Sequence, residues 1–353
     1  MPIEDLRIRG QFQRAIRAPN VGELFLPTNT NLTTLTDPCS GTPEQMAERG
    51  DTATAAQCAN TGLPTNLFGL VTQDSGQLNT QIGGNANLTP ESSDTFTVGA
   101  VYQPSQVEGL TISVDYFDID VEDIVGSIPA AQILGDCLST GNPAFCDLIT
   151  RNPDGTLTND GSFIEANSQN IASRATSGID AQIAYSYDTG AWGSLNWNYN
   201  STYLFSDETT SFVGADTFDC VGFFSNACAN PSFDYRHVLT TTYETPWNIR
   251  GSLIWRYFSN VDQAVDLVDG VFTSADPETT FAAELGSVSY LDLALFWDAT
   301  ENATLRFGVN NVLDRDPPIV PTFDTTVNNE ANTIAGVFDA GGRFIFVGAN
   351  IRF

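Results

Sequence analysis

Residues Gly193–Phe205, G-S-L-N-W-N-Y-N-S-T-Y-L-F, limit the fold more than any other stretch of the chain. Leu195, Trp197, Tyr199, Tyr203 and Phe205 share one parity, while Ser194, Asn196, Asn198, Asn200 and Thr202 share the other. A period of two places the sets on opposite faces of a β-strand, one apolar and one polar. Soluble sheets also alternate, but they usually hide a few aliphatics. Large aromatics opposite Asn and Ser suit a strand between lipid and a wet lumen.

The pattern repeats along the chain. Leu6, Ile8, Gly10 and Phe12 alternate with Arg7, Arg9, Gln11 and Gln13, which predicts a first strand over Asp5–Gln13. About 65 residues of turn-forming composition follow Phe25, a length that is normally functional when a loop has no strands of its own. Thr95–Tyr102 returns and Leu110–Val121 ascends. A second loop of roughly 50 residues includes a short helix at Pro129–Leu134, with proline in its first turn. From Ile179 the rhythm is regular, with Ile179–Tyr187, the template strand, Phe233–Glu244, Ile249–Tyr257, Leu291–Trp297, Ala303–Val309 and Gly342–Phe353. The expected architecture is all-β: an antiparallel transmembrane β-barrel, here a partial one of about ten strands with short turns on one side and long loops on the other. A soluble sandwich has no reason to segregate long connections from short.

One irregularity stands inside the third strand. Leu110, Ile112, Val114 and Tyr116 share a parity, and the apolar set then moves to Phe117, Ile119 and Val121. Either a β-bulge falls at Tyr116–Phe117, or the strand leaves the lipid there and its outer face no longer has to be apolar.

Charge and cysteines narrow the function. The 353 residues carry 43 acids against 14 Lys+Arg, a formal charge of −29 that excludes nucleic acid as a partner. No apolar run is long enough for a transmembrane helix, and Met1–Asp5 lacks the features of a signal peptide, so the protein is cytosolic or its true N-terminus lies upstream. The six cysteines favour the second option. They fall as three local pairs, Cys39/Cys58, Cys137/Cys146 and Cys220/Cys228, in Gly/Pro/Asn/Thr-rich segments, as disulfides do when they staple loops in an oxidising compartment. A zinc site would need tighter Cys spacing and further ligands, and His237 is the single histidine. Asp266, Asp269, Asp276 and Glu278 lack the spacing of a calcium loop. With no catalytic motif and no cofactor motif, the chain does not read as an enzyme.

Arg9–Phe25 reads R-G-Q-F-Q-R-A-I-R-A-P-N-V-G-E-L-F, which is similar to the R-G-x-F-S-R-A-F-R-A-P-N-x-x-E-L-F signature of TonB-dependent outer-membrane receptors. Asn87–Ser93 resembles N-L-x-P-E-x-S, Ala175–Asp180 resembles x-T-x-G-I-D/E, and Gly308–Pro318 resembles N-N-L-F-D-x-x-P-P. The terminal Phe353 matches the closing aromatic of such barrels.

The resemblance implies energised import across the outer membrane of a Gram-negative bacterium. Such receptors are barrels of about 22 strands around an N-terminal plug. A small-molecule ligand docks on the extracellular side, and the TonB complex pulls on the plug from the periplasm. On this basis residues 1–353 are the C-terminal portion of the barrel domain, without plug or TonB box, left as an open curved sheet. Arg14, Arg17, Asn20 and Glu23 follow the first strand in the family motif, as ligand or plug contacts from the lumen side or as anchors of the loop. Arg250, Arg256, Asp234 and Arg236 are expected to form lumenal ion pairs, and Phe223, Phe224, Phe233 and Trp247 loop cores and interface girdle. The class of ligand could be a siderophore, a vitamin or an oligosaccharide; the acidic loops favour a neutral ligand or a cationic chelate. A passive channel or surface-binding barrel without energy coupling is the alternative.

Overall fold

A computed structural model describes residues 4–212, 214–225, 227–228, 230–268, 270–320 and 332–352, and the side chain of Asp266 is not among the described parts. Phe353 and Asp269 therefore lie outside the described residues.

Period-two patterning becomes one antiparallel wall of ten strands: β1 Leu6–Arg17, β2 Glu91–Tyr102, β3 Leu110–Gly126, β4 Gln169–Asp188, β5 Ser194–Thr210, β6 Tyr235–Glu244, β7 Ile249–Phe258, β8 Val288–Thr300, β9 Ala303–Asn310 and β10 Phe344–Ile351. They pair in chain order, and the wall is open, its path beginning at β1 and ending at β10; Phe218–Asp219 adds a short pairing to β5. Nearest neighbours joined by short turns suit antiparallel ladders, since a tight reversal can link only such strands. Arg14–Arg17, read as the start of a loop, belongs to β1, and β4 runs 20 residues rather than starting at Ile179. Both extensions lie on the long-loop side, where a strand outside lipid needs no apolar face to persist.

The register sorts the side chains. Ile183, Tyr199 and Leu239 lie opposite one another on one face, as do Leu253 and Leu293, while Gln182 and Asn200, or Asn198 and Thr240, share the other. Aromatic rings rim the apolar face at both ends. Near the short turns, Tyr185 stacks on Trp197 at 5.5 Å, and Trp192 meets Trp247 edge-on at 6.3 Å. Toward the long loops, Tyr203 meets Phe205 at 5.6 Å. His237 also faces this apolar side, boxed by Tyr199, Tyr235, Trp255 and Tyr257 at 4.6 to 5.6 Å between ring centroids.

The irregularity in β3 is not a bulge at Tyr116–Phe117. Val98 pairs with Tyr116 and Thr97 with Phe117 without a break, and the first shift falls beyond Val121. The strand instead changes surroundings. Above Tyr116 the apolar face turns acidic, with Asp118, Asp120 and Glu122 on β3 beside Asp94 on β2, while Phe117, Ile119 and Val121 point to the other side.

The long loops are not structureless. Asn29–Thr34, Gln77–Ile82, Phe163–Glu165 and Ile149–Thr150 form a four-stranded sheet that joins the first loop to the second. The expected helix runs over Ala130–Thr140, with Pro129 at its N-cap and Gly141 ending it at φ 65°. Leu78, Ile133, Leu134 and Ile164 are fully buried in this body, and Cys39, Cys58, Leu63 and Val71 form an adjoining cluster. A separate core over β6–β8 contains Phe224, Phe233, Val261, Leu285 and Tyr290. All three cysteine pairs are disulfides, Cys39–Cys58, Cys137–Cys146 and Cys220–Cys228. The acidic stretch from Val261 holds a hairpin, Val261–Val268 with Val271–Ser274, instead of a bare loop.

Candidate functional site: the polar face of the wall

A row of side chains crosses the polar face at one level. The register runs Arg9, Gly99, Asp115, Asp180, Thr202, Arg236 and Phe258 from β1 to β7. Arg9 reaches over β2 to grip Asp115 on β3, with Nε to Oδ1 at 2.7 Å and Nη2 to Ser113 Oγ at 3.1 Å. This span requires glycine between them, because a Cβ on Gly99 would overlap the Asp115 carboxylate. Thr202 donates to Asp180 Oδ1 at 2.7 Å.

Nearer the loops, Arg174 forms a forked pair with Asp207 at 2.8 and 2.9 Å. Ser232 donates to the same carboxylate at 3.0 Å, and Asp207 backbone N–H donates to Asp219 at 2.9 Å, so the Cys220–Cys228 loop is tied to the top of β5. Gly178 sits beneath Phe117, whose Cζ would lie 2.8 Å from an added Cβ, and the ring lies over β4 as a result. The sequence motif ending in Gly178-Ile179-Asp180 is thereby explained: one residue clears space for a ring, and the next-but-one carries a polar-face carboxylate.

Two confluent cavities lie along this surface, about 450 and 360 Å³, and Asp180, Thr202 and Arg236 line both. Among the described residues Arg236 makes no ion pair, which departs from the expected network with Asp234. One Asp234 carboxylate oxygen is buried without a partner. Arg256 does build a network, donating to Asp292 at 2.9 Å and Asp339 at 2.6 Å and lying 5.0 Å over Tyr290. Arg250 lies 4.9 Å over Phe296.

The four residues singled out after the first strand are divided by the structure. Arg17 Nε donates to Glu91 at 2.5 Å and Nη1 to Glu23 at 3.1 Å; Glu91 also accepts from Val125 N–H at 2.8 Å. Asn20 and Glu23 cap the helix Val21–Phe25 reciprocally, at 3.0 and 2.8 Å. Two family motifs thus meet at Arg17 and Glu91. Arg14 lies apart on the apolar-face parity of Ile8, Phe12 and Ile16, donating to Asp94 at 2.6 Å beneath the acidic rim. Of the loop aromatics, Phe224 and Phe233 are core, Phe223 packs on Phe272 at 5.8 Å, and Trp247 joins the lower ring belt. Asp276 caps its own turn, accepting from Glu278 N–H at 2.8 Å. What sequence reasoning missed was Gly99, the Arg174–Asp207–Ser232 cluster, and the role of Gly178 inside a motif already quoted; isolated glycines amid alternating strands were the available signal for both glycines.

An antiparallel wall with one apolar face between two aromatic belts, one polar face, and long loops on a single side defines the wall of a transmembrane β-barrel. The chain belongs to the TonB dependent receptor-like β-barrel family, whose model matches residues 1–312. No curated protein matches it in sequence. In structure it is similar to the siderophore receptor PirA of Acinetobacter baumannii, with a TM-score of 0.56, 14% identity, and coverage of 100% of this chain and 40% of that one. The ferric enterobactin receptor PfeA of Pseudomonas aeruginosa gives 0.57, 14%, 100% and 39%, and the FrpB iron transporter of Neisseria meningitidis gives 0.50, 10%, 100% and 38%. The chain thus spans about two fifths of the solved receptors it matches.

Proposed function

We propose that residues 1–353 are the C-terminal part of the barrel of a TonB-dependent receptor in the outer membrane of a Gram-negative bacterium, acting in uptake of a scarce small molecule. The observation that carries this is the family match over residues 1–312 on a wall with one lipid-type face and one wet face. Coverage of two fifths of the solved receptors supports a longer protein, with the plug and the TonB-contacting segment encoded before this part. The wall would supply lumen lining and five long loops; the Arg17–Glu23–Glu91 joint would anchor the first of them. Transport of this kind needs no covalent step, and the Arg9–Asp115 and Arg174–Asp207 pairs of the polar face are disposed as clamps between strands.

The reading is tested at the locus and in membranes. An in-frame plug and TonB box upstream, with the product in outer-membrane fractions and resistant to alkaline carbonate, is the expected result. A genuine start at Met1 with a product released into the soluble fraction would sink it.

A further inference from the structure

We infer that the groove formed by the two confluent cavities around Asp180, Thr202 and Arg236 is a binding site for an uncharged, hydroxyl-rich ligand such as a short oligosaccharide. The inference deepens the receptor reading and rests on it.

The groove differs from the rest of the chain in charge. Acids outnumber bases 43 to 14 overall, yet the Arg and Asp side chains lining the two cavities are Arg174, Arg236, Asp180 and Asp207, two of each sign. A ligand with several negative charges gains nothing there to offset repulsion from the surrounding acids. A neutral one is not penalised.

The free hydrogen-bonding capacity points the same way. Arg174 and Asp207 satisfy each other, but Arg236 makes no ion pair among the described residues, and the Asp180 carboxylate takes one bond, from Thr202. A guanidinium fork on β6 and a carboxylate on β4, separated by Thr202 on β5, can each engage two adjacent hydroxyls. Gln182 and Asn200, paired across β4 and β5 one step along the same face, add amides that both donate and accept. Phe117 supplies apolar surface for the C–H face of a ring. The position of the Phe117 ring depends on Gly178, and the Asn230–Phe233 segment is placed by the bond from Ser232 to Asp207. Volumes of about 450 and 360 Å³ fall in the range of small-molecule sites.

The test is calorimetric titration of the full-length receptor that contains this chain, in detergent micelles. Its probes are neutral gluco- and xylo-oligosaccharides, with a ferric tris-catecholate chelate and a dipeptide as the anionic and zwitterionic counterparts. At least one neutral oligosaccharide binds, Arg236→Ala and Asp180→Asn each weaken it by about tenfold or more, and added salt changes its affinity little. Asn200→Ala, an exposed site that disturbs no ion pair, provides a third variant should either of the others misfold; it weakens binding by a smaller factor. Binding of no oligosaccharide overturns the inference, as does sugar binding indifferent to these variants. Chelate or dipeptide binding that is lost in Arg236→Ala overturns the ligand class. TonB-coupled uptake that persists in the variants would leave the receptor reading standing and remove only the groove.

Discussion

Leu253, Leu293 and Leu295 in the wall are 40 to 42% exposed, whereas Leu78, Ile133 and Ile164 in the loops are fully buried. Every hydrophobic core cluster of the described residues centres on the long loops and the strand ends beneath them. The wall between its aromatic belts has none. The difference follows from solvent: wall leucines find their apolar surroundings in lipid, so backbone ladders and alternation suffice there. The loops stand in water and have to bury their own apolar groups, as small disulfide-stapled domains do. One chain therefore contains two kinds of stability, and perturbations can separate them.

The largest effect is expected in the loops. Arg151 and Asp37 are both 2% exposed and hold the second loop to the first at 2.5 and 3.0 Å, with further bonds from Arg151 to Thr61 and Gly155 carbonyls. Arg151→Ala leaves Asp37 charged and unpaired, at a cost of about 3–5 kcal/mol. Amide exchange over residues 18–90 and 127–168 should rise sharply while β5–β8 keep their protection. Equal loss in both regions would show that the wall depends on the loop body after all.

The wall responds to a different substitution. Leu253 and Ser252 are adjacent on β7 and face opposite sides. Leu253→Arg puts a cation in lipid near mid-strand and costs about 2–4 kcal/mol, while Ser252→Arg on the wet face costs less than about 1 kcal/mol. Urea unfolding from lipid vesicles measures both. Similar losses at the two positions would break the assignment of faces.

These two regions also differ in how far the sequence revealed them. Strands inside the membrane were legible because lipid on one side and water on the other force strict alternation, as in Leu195–Phe205. Gln169–Gly178 was missed because it runs alongside the acidic rim and beyond it, where neither face has to be apolar. The slip at Tyr116 was visible, but only the register showed that it marks a change of surroundings rather than a bulge. The loop body was hidden for another reason: Asp37 and Arg151 stand 114 residues apart, and contacts so distant leave no local period. In the site, Arg14, Arg17, Asn20 and Glu23 were found as a motif, yet only coordinates place Arg14 on the opposite face from Arg17.

The smallest effect tests the loop body at a single turn. The Asp154 carboxyl is held below its ordinary value of 3.8, first by the Thr156 backbone N–H at 3.0 Å, then by the Thr156 hydroxyl at 2.7 Å and by Asn159 at 2.9 Å. A depressed folded value means that the unfolded turn takes up a proton first as pH falls. The stabilisation is therefore complete above the ordinary value and disappears as pH drops from there through the folded value. Thr156→Val removes the hydroxyl donor and keeps the backbone one, so the carboxyl should move part of the way back up. Amide exchange at Thr156 should accelerate in acid at a higher pH in the variant than in the parent, while exchange in β7 stays the same. A shift that reached β7 would mean that acid acts on the wall and loops as one unit, and the division between lipid-solvated strands and water-folded loops would not hold.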